Sequence, residues 1–193
     1  QNATIRKLSK HAEDAKAKGI EVIHLNIGQP DIQTPTRALD AIKSFDQNVL
    51  AYGPSEGSLA YRQKMCSYYA KHNIEVEPEN ILVTTGASEA IIMTLDCITN
   101  EGDELIIPEP FYANYDTFAA ASGVKVVPVS STIDTHFSLP SIDEIEGKIN
   151  DKTRAIFICN PNNPTGYVYT HKELNDLVDL VKKHDIFLIV DEV

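Results

Sequence analysis

Two runs near the end of the chain restrict its fold more than any other feature. They are Ala155-Ile156-Phe157-Ile158-Cys159 and Ile186-Phe187-Leu188-Ile189-Val190-Asp191. Each is almost continuously apolar, the pattern of a strand with both faces covered in a parallel sheet. Between them stands Asn160-Pro161-Asn162-Asn163-Pro164-Thr165-Gly166, followed by a helical pattern. That helix has a marked start, because Thr170 with Glu173 three residues on forms a capping box. Its apolar positions Leu174, Leu177, Val178 and Val181 share one face. The stretch therefore reads as strand, loop, helix, strand. Ligands of open parallel sheets bind at the carboxyl ends of strands, so the Asn-rich loop and Asp191 belong to one candidate site.

The rest of the chain extends this pattern. Ile5, Leu8, Ala12 and Ala15 make a modest helical stripe that Gly19 ends. Val22 to Ile27 is a short apolar segment, Gly28-Gln29-Pro30-Asp31 a turn, and Pro35 opens a short helix reaching Ser44. Tyr52-Gly53-Pro54-Ser55-Glu56-Gly57 is a loop, and a helix carrying Leu59, Met65, Cys66 and Tyr69 follows. Strands and helices then alternate: strand 81–85, helix 87–98, strand 104–107, helix 111–122 and strand 125–129. Ser141 with Glu144 is a second capping box, with Ile142, Ile145 and Ile149 on one side. The alternation predicts an α/β fold with a mainly parallel sheet and helices on both faces.

Composition narrows the function. A chain of 193 residues with 42% hydrophobic content suffices for one domain core. The net charge of −11 argues against a nucleic-acid partner. No apolar run reaches membrane-spanning length. Cys66, Cys97 and Cys159 are odd in number and widely spaced, which fits reduced, mostly buried thiols and a cytoplasmic location. The chain begins with Gln1 and stops at Val193, directly after a buried-type strand. It is expected to be a fragment of a longer protein.

Four segments at predicted strand ends carry chemistry. In Thr85-Gly86-Ala87-Ser88-Glu89-Ala90 a strand passes through glycine straight into a helix, whose free N–H groups suit a phosphate. Alone this is weak, since a glycine turn with a serine cap looks the same, and it is neither a dinucleotide fingerprint nor a Walker loop. In Pro108-Glu109-Pro110-Phe111-Tyr112 an aromatic at a strand end can stack on a flat ring, although a core aromatic beside turn prolines is the likelier reading of that run alone. The Asn-Pro run offers an amide donor and X–Pro bonds able to be cis. Its density of Asn and Pro makes it more specific than a plain turn cluster. Asp191 places a carboxylate beside apolar residues, which is costly unless it is paired. A phosphate seat, a stacking ring, a donor and an acid for a ring cation together describe a phosphorylated pyridine.

The residues that carry this set resemble the class I and II aminotransferases, fold type I enzymes of pyridoxal 5'-phosphate. They are Asn26-Ile27-Gly28-Gln29-Pro30-Asp31, Tyr52-Gly53, Thr85 to Ala90, Pro108 to Tyr112, Asn160 to Gly166 and Asp191-Glu192-Val193. The resemblance covers essentially the whole chain. It implies that Gly86, Ala87 and Ser88 hold the cofactor phosphate and that Tyr112 stacks on the ring. Asn163 would donate to the ring's phenolic oxygen and, with Tyr112 and Gly28, face the substrate. Asp191 would pair with the ring nitrogen. Tyr52 would reach the phosphate of a neighbouring subunit, implying a homodimer with shared active sites. Glu109–Pro110 and Asn163–Pro164 match positions where the family has cis bonds.

The resemblance further implies residues 1–45 as an N-terminal segment belonging partly to a small domain. Residues 46–193 would be the first part of the cofactor-binding large domain. The family's Schiff-base lysine is expected beyond Val193; none of the thirteen lysines here stands at that position. Two arginines of the family, one near the phosphate and one for the substrate carboxylate, are missing too. The expected activity of the intact protein is amino group transfer from an amino acid, possibly aspartate, to a 2-oxo acid. A lyase of the same fold is the alternative. A ligand-sensing module of a transcription regulator ranks third: a basic helix-turn-helix segment upstream of Gln1 would support it, and the Gly28-Gln29-Pro30-Asp31 turn leans towards free-standing enzymes.

Overall fold

The computed structural model describes residues 9–24, 28 and 30–192, and within them four strands form one parallel sheet. They are β1 (Glu104–Glu109), β2 (Lys125–Ser130), β3 (Thr153–Cys159) and β4 (Phe187–Asp191), in the order β2-β1-β3-β4. In register, Glu109 faces Ser130 and Cys159 faces Asp191. With every pairing parallel, these four residues mark the carboxyl edge of the sheet.

The chain divides into two units, residues 1–51 and 52–193. The first holds helices α1 (Ser9–Ala17) and α2 (Thr36–Lys43), neither with a buried residue. The second holds the sheet and helices α3 (Leu59–Ala70), α4 (Ala87–Ile98), α5 (Asn114–Ala121), α6 (Ile142–Glu146) and α7 (His171–His184). Ile5, Leu8, Asn26, Ile27, Gln29 and Val193, used in the sequence reading, lie outside the described residues.

Alternation along the strands splits the core in two. Leu105, Ile107, Ala155, Phe157 and Cys159 face one way and pack with Ile91 and Leu95 of α4 and Tyr115 and Ala119 of α5. Ile106, Ile156 and Ile158 face the other way and pack with Ile145 of α6 and Leu177, Leu180 and Val181 of α7. Strands β1 and β3 are thus covered on both faces, whereas β4, at the edge of the described sheet, is only half-covered and leaves Phe187 and Val190 exposed, which corrects the expectation drawn from its apolar run. Each fully buried aliphatic side chain contributes about 1.5–3 kcal/mol of transfer free energy.

Both capping boxes form. Ser141 and Thr170 each accept from the amide three residues on, and the glutamates reach back to the cap amides. Glu173 does more than cap: it also accepts from the Leu139 amide at 2.9 Å and the Tyr167 hydroxyl. Partial burial alone would raise its carboxyl, yet the bonds from Thr170, Leu139 and Tyr167 hold it below the ordinary value. Because the folded value is depressed, its stabilising effect is complete above the unfolded value and fades as pH falls through the folded one. Thr170→Ala should cost about 1 kcal/mol by urea unfolding; no measurable loss would mean that the cap is not formed in solution.

Three further expectations need correction. Residues 81–85 are not a strand. The Val83 amide bonds to the Glu56 carbonyl at 3.1 Å, and Leu82 and Val83 are exposed, so this apolar run has no ladder among the described residues. Thr85 therefore does not join the carboxyl edge as a strand end. Helix 111–122 begins only at Asn114, because Phe111 and Tyr112 pack against the core instead. Of the three cysteines only Cys159 is buried, and Cys97, on the outer side of α4, is exposed.

Candidate functional site

The carboxyl ends of β1, β3 and β4 deliver the best-defined group of candidate residues. Asp191 closes β4, and its carbonyl accepts from the Asn160 amide at 2.9 Å, which extends the β3–β4 ladder by one bond. Its side chain is equally fixed, because the Tyr115 hydroxyl donates to Asp191 Oδ2 at 2.7 Å. Tyr115 is 2% exposed. Its ring lies 4.4 Å from that of Phe157 between centroids and 5.5 Å, edge-on, from that of Tyr112. Burial first, then the bonds to Asp191 and Cys159, push the phenol well above its ordinary range. Tyr115 is therefore a donor to the Asp191 side chain.

Tyr112 follows β1 past the cis Glu109–Pro110 bond and is half-buried. Its hydroxyl accepts from Asn114 Nδ2 at 2.6 Å, which orients the ring at the sheet edge. Tyr112, Tyr115, Cys159 and Asp191 are thus brought together by the segment after β1, by α5, by β3 and by β4.

The Asn-Pro loop divides its work among its asparagines. Asn160 Oδ1 accepts from the Tyr169 amide at 3.0 Å. Asn162 is buried, and its Oδ1 accepts from the amide and hydroxyl of Thr165. Those two brace the loop, while Asn163 is exposed. The bonds Asn163–Pro164 and Glu109–Pro110 are cis as expected, and Asn160–Pro161 is cis as well.

Gly86 is the N-cap of α4 with φ 91° and ψ 169°. An L side chain is strained there, so glycine is required by the turn itself. Ala87 and Ser88 open α4, and Ser88 is exposed. Glu89 of the same turn reaches back to the Thr85 amide at 2.5 Å. The helix lies on the sheet face that also carries α5.

Tyr52 begins the second unit and its side chain is fully exposed. The loop after it is tied down by Arg62, which is only 7% exposed and shares its helix face with half-buried Met65, Cys66 and Tyr69. Arg62 donates to the Gly57 carbonyl at 3.2 Å and the Pro78 carbonyl at 2.6 Å, and pairs with Glu56 at 3.4 Å. Gly28 belongs to the first unit, and no described atom lies within 4 Å of where its Cβ would stand.

The sequence reading missed Tyr115 and Arg62. Tyr115 had a faint signal, standing three residues after Tyr112 as a polar-tipped aromatic at a core position. An open hollow of about 410 Å³ lies away from these residues, between α6 and α7, lined by Ile142, Leu180 and charged groups such as Glu146 and Lys183. It contains none of the candidate residues. Among the described residues no cluster of ligating side chains fits a metal ion, and no helix is long and apolar enough to cross a membrane.

The donor set suits a cationic ring bearing a phosphate: an anchored carboxylate, an oriented aromatic and a helix start with glycine at its cap. The family model described as aminotransferase class I and II matches residues 20–193. An aspartate aminotransferase of Bacillus sp. strain YM-2 is 34% identical over 99% of this chain and 49% of its own length. The structure of an alanine aminotransferase from Pyrococcus furiosus superposes with TM-score 0.89 at 33% identity, over 98% of this chain and 49% of its own. That of an aspartate aminotransferase from Thermotoga maritima gives TM-score 0.93 at 30% identity, over all of this chain and 52% of its own. The chain spans about half the length of the relatives it matches.

Proposed function

The chain belongs to aminotransferase class I and II, and from that premise we propose that it is part of a pyridoxal-phosphate-dependent amino acid aminotransferase. The observation that carries this reading is the Asp191 carboxylate, fixed at the carboxyl edge of the sheet by Tyr115 and flanked by Tyr112. Relatives named for aspartate and for alanine support an amino acid and a 2-oxo acid as substrates. Aspartate is the first donor to test.

When bound, pyridoxal phosphate supplies an electron sink for the charge left at the substrate α-carbon. The residues of this chain hold and orient it. Asp191 would pair with the ring nitrogen, because a fixed anion beside apolar residues favours a cationic ring. Tyr112 stacks on the ring and excludes water from that face. The first-turn amides of α4, with Gly86, Ala87 and Ser88, hold the phosphate at the positive end of the helix. Asn163 would donate its amide to the phenolic oxygen and to the substrate carboxylate. The roles left unassigned within residues 1–193 are the covalent lysine and the arginines for the phosphate and the substrate carboxylate.

Tyr52 completes the phosphate seat of a second subunit in a cytoplasmic homodimer. Its full exposure supports that role, since the ring has no place in its own core. Tyr52→Phe should weaken cofactor retention by roughly 1.5–3 kcal/mol, the worth of a hydrogen bond to a charged group. Mixed dimers with a complementary inactive variant should regain activity; purely additive behaviour would count against a shared site.

The reading as a whole is tested with the full-length gene product loaded with pyridoxal phosphate. Aspartate or alanine with 2-oxoglutarate should give glutamate and the matching oxo acid. Elimination products in place of glutamate would identify a lyase, and no turnover of any amino acid would remove the enzymatic reading.

A further inference from the structure

We propose that Asn114 is a positioning residue that holds the Tyr112 ring flat against the cofactor, an inference that rests on the stacking role of Tyr112 proposed above. Three contacts carry it. Asn114 Nδ2 donates to the Tyr112 hydroxyl at 2.6 Å. The Tyr112 ring meets that of Tyr115 edge-on, at 5.5 Å between centroids and 86° between planes. The Tyr112 carbonyl accepts from the Tyr115 amide at 2.9 Å, which closes the turn into α5. That last bond fixes the backbone. What remains free is the swing of the side chain about χ1 and the turning of its ring about χ2.

The two side-chain contacts restrain different torsions. The hydroxyl oxygen lies on the axis about which χ2 turns, so a bond to it stops the swing and leaves ring rotation free. The perpendicular contact with Tyr115 does the reverse, because turning the Tyr112 ring would break the edge-to-face arrangement. Tyr115 can serve as that stop, being itself 2% exposed and packed on Phe157 at 4.4 Å between centroids. Without Asn114, therefore, one of the two torsions that set the stacking surface loses its restraint.

The choice of residue fits this task. An asparagine near a helix start ordinarily serves as a cap, accepting from a backbone amide. Here the cap position is Ala113, which has no such group, and the Asn114 amide turns back on Tyr112 instead. A lysine would donate too, but it would set a second cation beside the cationic ring of the cofactor. The amide donates without that repulsion.

The test titrates the full-length apoprotein with pyridoxamine 5'-phosphate, which has no aldehyde and binds without a covalent bond to lysine. This ligand is achiral, so circular dichroism in its long-wavelength band arises only from the fixed surroundings of the ring. Asn114→Ala should raise the dissociation constant about three- to tenfold, the worth of one hydrogen bond. It should also weaken the dichroic band at saturation. Asn114→Asp, whose carboxylate can accept from the same hydroxyl, should keep both near the wild-type values. Tyr112→Phe should match Asn114→Ala, and adding Asn114→Ala to Tyr112→Phe should change nothing more.

The outcomes separate the two readings. If Tyr112→Ala leaves affinity and dichroism as in the wild type, Tyr112 does not stack on the ring and the inference falls with that reading. If Tyr112→Ala changes both while Asn114→Ala leaves the dichroism at saturation unchanged, only the inference about Asn114 is overturned, and any loss of thermal stability then marks the bond as structural. A loss in Asn114→Asp as large as in Asn114→Ala would also overturn it. So would a further loss on adding Asn114→Ala to Tyr112→Phe, because the amide would not then act through the hydroxyl.

Discussion

Replacing Asp191 by Ala in the full-length enzyme should lower turnover by about 10²–10³-fold, the usual loss when one preorganised electrostatic partner is removed. Affinity for the cofactor should fall far less, since the carboxylate matters most to charge that develops in the transition state. The Ala variant also leaves the Tyr115 hydroxyl buried without this acceptor, at a cost of about 1–3 kcal/mol. Asp191→Asn separates the two effects. Its side-chain oxygen can still accept from Tyr115, so stability should be retained while turnover falls nearly as far. Asp191→Glu should keep part of the activity. An Ala variant that turns over normally would remove Asp191 from the site.

Phe157→Ala should destabilise the fold by about 3–5 kcal/mol. Phe157 is 1% exposed in the central strand β3, and its ring packs on Tyr115 in the cluster that includes Ile91 and Leu95. Removing it opens a cavity between a strand and two helices that are pinned by other contacts, so collapse can close little of it. Against a typical total of about 5–15 kcal/mol, that loss threatens the native state itself. Val168→Ala, at a side chain 59% exposed, should cost under about 0.5 kcal/mol. Urea unfolding of both variants decides the matter: a loss below about 1 kcal/mol for Phe157→Ala would mean that this cluster is not the core.

The fold was legible where a residue pattern has one physical solution. The run at 155–159 had to be covered on both faces, and it is; the run at 186–190 is only partly covered, with Phe187 and Val190 exposed. Helix 87–98 and the two capping boxes depend on contacts within a few residues, which the sequence states directly. Residues 81–85 failed for the opposite reason. A strand exists only with a ladder partner, and that partner is not a property of the run itself. The site shows the same division. Asp191, Tyr112 and Gly86 announced themselves by standing at element ends. Composition could not tell Asn163 from Asn160 and Asn162, which brace the loop. Tyr115 was hidden because an aromatic at a core position reads as packing, and its hydroxyl bond joins residues distant in sequence.

Arg62 bears on how two subunits would meet. Its three bonds stitch the chain just after Tyr52 to the start of the turn at Pro78 before any neighbour arrives. If Tyr52 acts in a neighbouring subunit as proposed, the stretch at Glu56 and Gly57 is already held, and docking would have mainly a side chain to immobilise, at about 0.5–1.5 kcal/mol. A loop ordered only on contact would add the freezing of several residues to that figure. Lysine could not replace Arg62, because one ammonium has no fork to span carbonyls in two separate segments.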